Sequence, residues 1–170
     1  MGIRYVDPHA DRGWFYRAHG WLTCTRLFQR LALTRAWGAI VWRVDRVLLR
    51  ATGGRLGTAS PVATALLQTR GARSGRTRRN AVIYFHDGDR VTVVASNAGR
   101  PGNPSWYYNV RANPEVLFGG RPFRAEVVED EPSQARLWKM ADQIFPAFAA
   151  YRETAARTGR AIPIVQLTPR

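Results

Sequence analysis

A chain of 170 residues, 45% hydrophobic and 22% charged, has the length and composition of one globular domain, which excludes a disordered, collagen-like or low-complexity description. Its one cysteine, Cys24, rules out an internal disulfide and a thiolate zinc cluster; no apolar run is long enough to span a membrane and the opening residues lack a secretory signal, so a cytoplasmic address is expected. The net charge of +14 is uneven: residues 1–80 carry 15 Arg against 3 Asp, or +12, a balance suited to an anionic surface, a polyanionic ligand or solubility alone.

From Trp14 to Arg50 there is no proline, and Leu27, Leu31, Thr34, Trp37, Val41, Val44 and Leu48 recur at steps of three or four, the spacing of a long helix. Arg35, Arg43, Arg46 and Arg50 fall opposite that stripe on a wheel of about 100° per residue. Such a basic, tryptophan-rich amphipathic helix suits either peripheral contact with an anionic membrane or a cover over the domain that follows. The glycine-rich stretch 52–61 (TGGRLGTASP) reads as a linker, dividing the chain into a helical extension, 1–52, and a body, 53–170.

In the body, residues 62–69, 78–86 and 90–97 read as strands, the last two joined by a hairpin at Asp87-Gly88-Asp89. Pro104 opens a short helix to Ala112, ended by Asn113-Pro114. Strands at 115–118 and 121–129 flank Gly119-Gly120; a helical stretch at 131–157 breaks near Pro146; and 162–167 closes as a strand. Short hairpin-linked strands with helices inserted and appended predict an α+β fold, its antiparallel sheet curled into a small barrel.

The signatures of several chemistries are missing. His9, His19 and His86 are scattered without metal-ligand spacing, and there is no G-x-S-x-G, P-loop, G-x-G-x-x-G or paired carboxylate site; Glu129-Asp130-Glu131 reads as a solvated helix cap. Difficult chemistry, if performed, would come from a bound organic cofactor. Three segments could serve one. Gly71-Ala72-Arg73-Ser74-Gly75-Arg76-Thr77-Arg78-Arg79 joins two strands and reads either as an anion nest surrounded by guanidiniums or as a solvated basic hairpin. Ala95-Ser96-Asn97 is a small-residue strand end that a flat ring could approach, with Trp106 and Asn109 on the next helix as wall and polar partner, although Trp106 suits a core equally. Phe145, Phe148 and Tyr151 recur every third residue, a packing spacing in which only the Tyr151 phenol could donate a proton.

The order and spacing of Leu66-Leu67-Gln68-Thr69-Arg70-Gly71-Ala72-Arg73-Ser74-Gly75, Asp87-Gly88-Asp89, Val93-Val94-Ala95-Ser96-Asn97, Pro104-Ser105-Trp106-Tyr107-Tyr108-Asn109, Ala112-Asn113-Pro114 and Arg160-Ala161-Ile162-Pro163-Ile164-Val165 resemble the deazaflavin-dependent nitroreductase family of actinobacteria, a branch of the split β-barrel flavin/deazaflavin oxidoreductases. The resemblance covers roughly 115 residues from Gly53 onward. It implies a split β-barrel that binds 8-hydroxy-5-deazaflavin coenzyme (coenzyme F-420) and passes its hydride to a conjugated acceptor. It implies that Arg73, Ser74, Gly75 and Arg78 hold the phosphate and oligoglutamate tail, that Ala95, Ser96 and Asn97 border the ring with Trp106 and Asn109 in the same pocket, and that Tyr151 or water supplies a proton. Phe145 and Phe148 stand where family members with nitroreductase activity have tyrosines, and Ala81 replaces a proline common after the phosphate turn. The first change removes two hydroxyls from the acceptor side and shifts the expected acceptor from a nitro compound toward an apolar, quinone-like molecule.

Two rival readings remain: a non-catalytic or flavin-using barrel carrying a fatty acid, haem, FMN or FAD, and a nucleic-acid module built on the basic half. The second lacks any base-reading motif, so no nucleic-acid partner is expected. No residue decides the oligomeric state.

Overall fold

The computed structural model describes residues 3–11, 13–23, 25, 27, 34–51 and 61–170. The linker expected at 52–60, Cys24 and Leu31 lie outside them, as do the side chains of Arg35, Trp37, Arg46 and Arg50. In chain order the described elements are α1 (Trp14–Thr23), α2 (Arg35–Ala51), β1 (Thr64–Arg70), β2 (Thr77–Asp87), β3 (Arg90–Val94), a 3-10 turn (Asn97–Gly99), α3 (Ser105–Ala112), β4 (Glu115–Phe118), β5 (Arg121–Val127), α4 (Glu131–Ile144), α5 (Ala147–Ala156) and β6 (Ile164–Pro169). The strands close into an antiparallel barrel in the order β1-β2-β3-β6-β5-β4. This is the α+β barrel expected, with both glycine hairpins in place: Asp87 pairs with Arg90, and Phe118 with Arg121.

Alternation builds the core. Leu67, Val82, Tyr84, Val91, Val93, Phe118, Phe123, Val165 and Leu167 belong to the barrel's inner cluster, to which α3 adds Trp106, Tyr107 and Val110. The opposite face of the barrel wall, with Phe85, Val94 and Ile164, packs against Leu137, Ala141, Ile144, Phe145 and Phe148 of α4 and its neighbours. The α4–α5 break falls at Pro146, as its ring demands. Asp130 caps α4 by accepting from the Ser133 amide at 2.9 Å, and hydrogen bonding from Ser133, its side chain first and its backbone second, keeps the Asp130 carboxyl pKa below the ordinary value.

Residues 3–7 form a strap across β2. The Val6 amide donates to His86 Nδ1 at 3.0 Å, the His86 amide donates to the Val6 carbonyl at 2.9 Å, and the Tyr84 hydroxyl donates to the Arg4 carbonyl at 2.9 Å. Tyr5 lies over the His86 ring with centroids 4.5 Å apart.

Three expectations change. The N-terminal helical pattern is divided: α1 stops at Thr23, Thr25 and Thr34 are bends, and α2 begins at Arg35. The face of α2 turned to the barrel carries Val41, Asp45 and Leu48, whereas Val44, placed by periodicity in the buried stripe, is exposed, as is Leu27. The third strand ends at Val94 rather than Asn97, because Asn97 and Ala98 take left-handed backbone angles (φ 48° and 52°) that a strand cannot hold.

Candidate functional site

The tip of the β1–β2 hairpin is held from below. Asn109, buried on α3, accepts from the Ala72 amide and donates to Thr69 Oγ1, each at 3.0 Å. The Gly71 amide donates to the Arg76 carbonyl and the Gly75 amide to the Gly71 carbonyl, at 2.9 and 2.8 Å. Glycine fits twice. A Cβ on Gly71 would lie 2.7 Å from Ser74 Oγ, and Gly75 has φ +64°. Arg73, Ser74, Gly75, Arg76 and Arg78 are all exposed on this turn, and among the described residues none of the three arginines has a carboxylate partner. Exposed guanidiniums gathered on one turn are the donor set an anionic group calls for.

β2 leads from this tip into a cleft of about 380 Å³ lined by Asn80, Ala81, Val82 and Ile83. Arg78 precedes Asn80 by two residues and so projects from the same face about 7 Å further out. Ser96, Asn97, Ala98 and Arg100 from the segment after β3 make the next wall, and Trp106 the next. That segment is braced by Arg160: Nη2 donates to the Ser96 carbonyl at 2.7 Å, and Nη1 to Asn103 Oδ1 at 2.9 Å and the Ala95 carbonyl at 3.3 Å. Burial lowers the Arg160 pKa from its ordinary value. Asn97 Nδ2 ties the loop to the Gly102 carbonyl at 3.0 Å. Gly99, at φ +76°, brings it against α5 so closely that a Cβ would lie 3.0 Å from the Tyr151 carbonyl.

Phe145, Phe148 and Tyr151 complete that side of the cleft, their rings 5.2–6.3 Å apart by centroid. A further side comes from the N-terminal helices, with His19 and Thr23 on α1 and Val41 and Asp45 on α2. Arg100 Nη2 joins the two sides by donating to the Thr34 carbonyl at 2.6 Å.

Of the residues singled out in the sequence, Ser96, Asn97, Trp106, Phe145, Phe148 and Tyr151 line this one cleft. Arg73, Ser74, Gly75 and Arg78 lie on the hairpin leading into it. Ala95 is fully buried beneath the cleft wall and Asn109 beneath the hairpin, so neither is among the cleft-lining residues. His19, Thr23, Val41, Asp45 and the brace Arg160 were not anticipated as site residues. Asp45 carried the one usable signal, a lone acid on the apolar side of an otherwise arginine-bearing helix.

A family profile described as F420H(2)-dependent quinone reductase matches residues 41–169. The chain is 36% identical over 145 residues to the F420H(2)-dependent quinone reductase Rv1261c of Mycobacterium tuberculosis, an alignment covering 81% of this chain and 96% of that one. Among solved structures it is similar to an F420-H2 dependent reductase, FDR-A, with a TM-score of 0.52 and 33% identity across 61% of this chain and 92% of the other. A chain solved as a domain-swapped dimer matches with a TM-score of 0.56 and 29% identity across 74% of this chain and 93% of the other.

Proposed function

The chain belongs to the F420H(2)-dependent quinone reductase family, and from that premise we propose that reduced 8-hydroxy-5-deazaflavin coenzyme and a quinone-like acceptor meet in the cleft between the barrel and α5. The continuity of β2 carries this assignment: one strand runs from an exposed turn of arginines into an aromatic cleft, matching a ligand with an anionic tail and a flat ring. With the deazaflavin as the family's coenzyme, the FMN or FAD alternative and the non-catalytic carrier are not needed.

When bound, the coenzyme supplies a hydride. The chain supplies position. Arg73, Ser74, Gly75 and Arg78 hold the tail on a turn that Asn109 keeps in shape. Ser96 and Asn97 would border the ring on a segment that Arg160 braces, with Ala95 buried behind it. Trp106 walls the pocket, Phe145 and Phe148 exclude water from the acceptor side, and Tyr151 offers its phenol proton at Oη. The two phenylalanines favour an apolar conjugated acceptor over a nitro compound.

Fluorescence titration with the oxidised coenzyme tests the site. Arg73→Ala and Arg78→Ala should each weaken binding about 10- to 150-fold, the scale of a lost charge-assisted hydrogen bond. Unchanged affinity in both variants would remove the tail site.

A second reading concerns the acceptor's source. Trp14, Trp21 and Leu22 on α1 and Ile40, Val44 and Val47 on α2 are exposed, while no described helix is long and apolar enough to cross a membrane. These exposures support peripheral contact of a cytoplasmic enzyme with an anionic membrane surface. Co-flotation with phosphatidylglycerol vesicles, lost in Trp14→Ser/Trp21→Ser, is the expected result; a protein that stays with the soluble fraction ends this reading.

A further inference from the structure

Resting on the reading that the cleft receives the acceptor, we propose that His19 recognises the acceptor's carbonyl oxygen by donating a hydrogen bond from Nε2–H. Among the titratable side chains that line the cleft, Asp45, Arg100 and Tyr151 already have interactions within the chain. His19 does not. Its Nδ1 is sealed from solvent with no hydrogen-bond partner. We assign the ring proton to Nε2, which leaves a lone pair rather than an N–H at the sealed Nδ1. Nε2 is then the polar atom of the ring left to reach open space, and the space His19 borders is the cleft.

The ring is held in place by its helix. The Tyr16 hydroxyl donates to the Ile144 carbonyl, and Gly20 approaches the α4–α5 break so closely that a Cβ would lie 3.3 Å from Pro146 Cγ. His19, between those two anchors, borders the same cleft as Phe145 and Phe148, whose rings have no hydrogen bond to offer a carbonyl. Burial lowers the His19 pKa, with Asp45 of α2, Arg100 of the β3–α3 segment and Tyr151 of α5 as the other ionisable groups around the cleft. A neutral imidazole can donate to a carbonyl oxygen and to the more negative oxygen that forms as the acceptor is reduced, and no proton need leave the ring. The chemical class selected is a flat apolar ring bearing a carbonyl, as in a naphthoquinone.

The test uses the full-length protein without coenzyme, titrated with 2-methyl-1,4-naphthoquinone and with 2-methylnaphthalene, which has the same rings and no carbonyl. The wild type should bind the quinone about 5- to 10-fold more tightly, the scale of one neutral hydrogen bond. His19→Leu should lose that preference, and His19→Gln, whose Nε2 falls near that of histidine, should keep most of it. Both variants should retain wild-type affinity for the deazaflavin coenzyme. A His19→Leu protein that still prefers the quinone overturns the role of His19 and leaves the acceptor site standing. A wild type that binds neither ring system overturns the acceptor site and this proposal together. A second readout is independent of the variants: the His19 Nε2 resonance in ¹⁵N-labelled wild type should move on addition of the naphthoquinone and not of the hydrocarbon, and an unmoved resonance overturns the proposal.

Discussion

The two ends of β2 face opposite demands. At its start the strand leaves a turn of exposed arginines, of which Arg73, Arg76 and Arg78 have no carboxylate partner among the described residues; at Tyr84–His86 the same strand is buried and tied to residues 4–6 by hydrogen bonds. A solvated cationic end can surrender its water to an anionic ligand at little cost, whereas the sealed end contributes only cohesion. On the proposed reading one strand serves recognition at one end and stability at the other, and substitutions should separate the two.

The largest effect is expected from Asn109→Ala, which leaves the Ala72 amide and Thr69 Oγ1 without their shared partner. We expect a loss of about 2–3 kcal/mol in urea unfolding together with weaker coenzyme binding. If affinity holds while stability falls, the turn does not need its anchor and the contrast between the ends collapses. Tyr84→Phe removes the bond to the Arg4 carbonyl at the sealed end and should cost about 1 kcal/mol with coenzyme affinity unchanged; amide exchange over residues 3–7 should quicken. The subtlest readout is acid. His86 accepts from the Val6 amide through Nδ1, which requires the neutral ring, and burial lowers its pKa below the ordinary 6.5. The unfolded chain therefore takes up this proton first: the contribution is complete above pH 6.5 and declines as the pH falls from there toward the lowered folded value. Arg4, Tyr5 and Tyr84 are the ionisable neighbours. Unfolding at pH 7.5 and 5.5, compared with His86→Gln, isolates the effect, and an equal pH response in the variant would assign it elsewhere.

What could be read from the sequence was what neighbours in the chain decide. Gly88 and Gly119-Gly120 form tight turns whatever the rest of the fold does, and Pro146 breaks its helix locally. The guanidinium turn was legible for the same reason, being one contiguous segment. The role of Asn109 was not, since its partners lie 37 and 40 residues earlier. Likewise the phase of α2 depends on what it lies against: periodicity could place Val44 or Asp45 inward, and contact with the barrel selected Asp45. The N-terminal wall of the cleft was hidden for that reason, as was the strap over His86, 80 residues away from its partner.

Asn97 and Ala98 hold left-handed backbone angles that glycine would adopt more readily. Glycine at either position would relieve strain of about 1 kcal/mol but would also let the loop sample many more shapes. With alanine at 98, and with Arg160 and Gly99 fixing the flanks, the ordering of this rim is completed when the protein folds. A ring arriving at the cleft then loses little affinity to organising its own receptor.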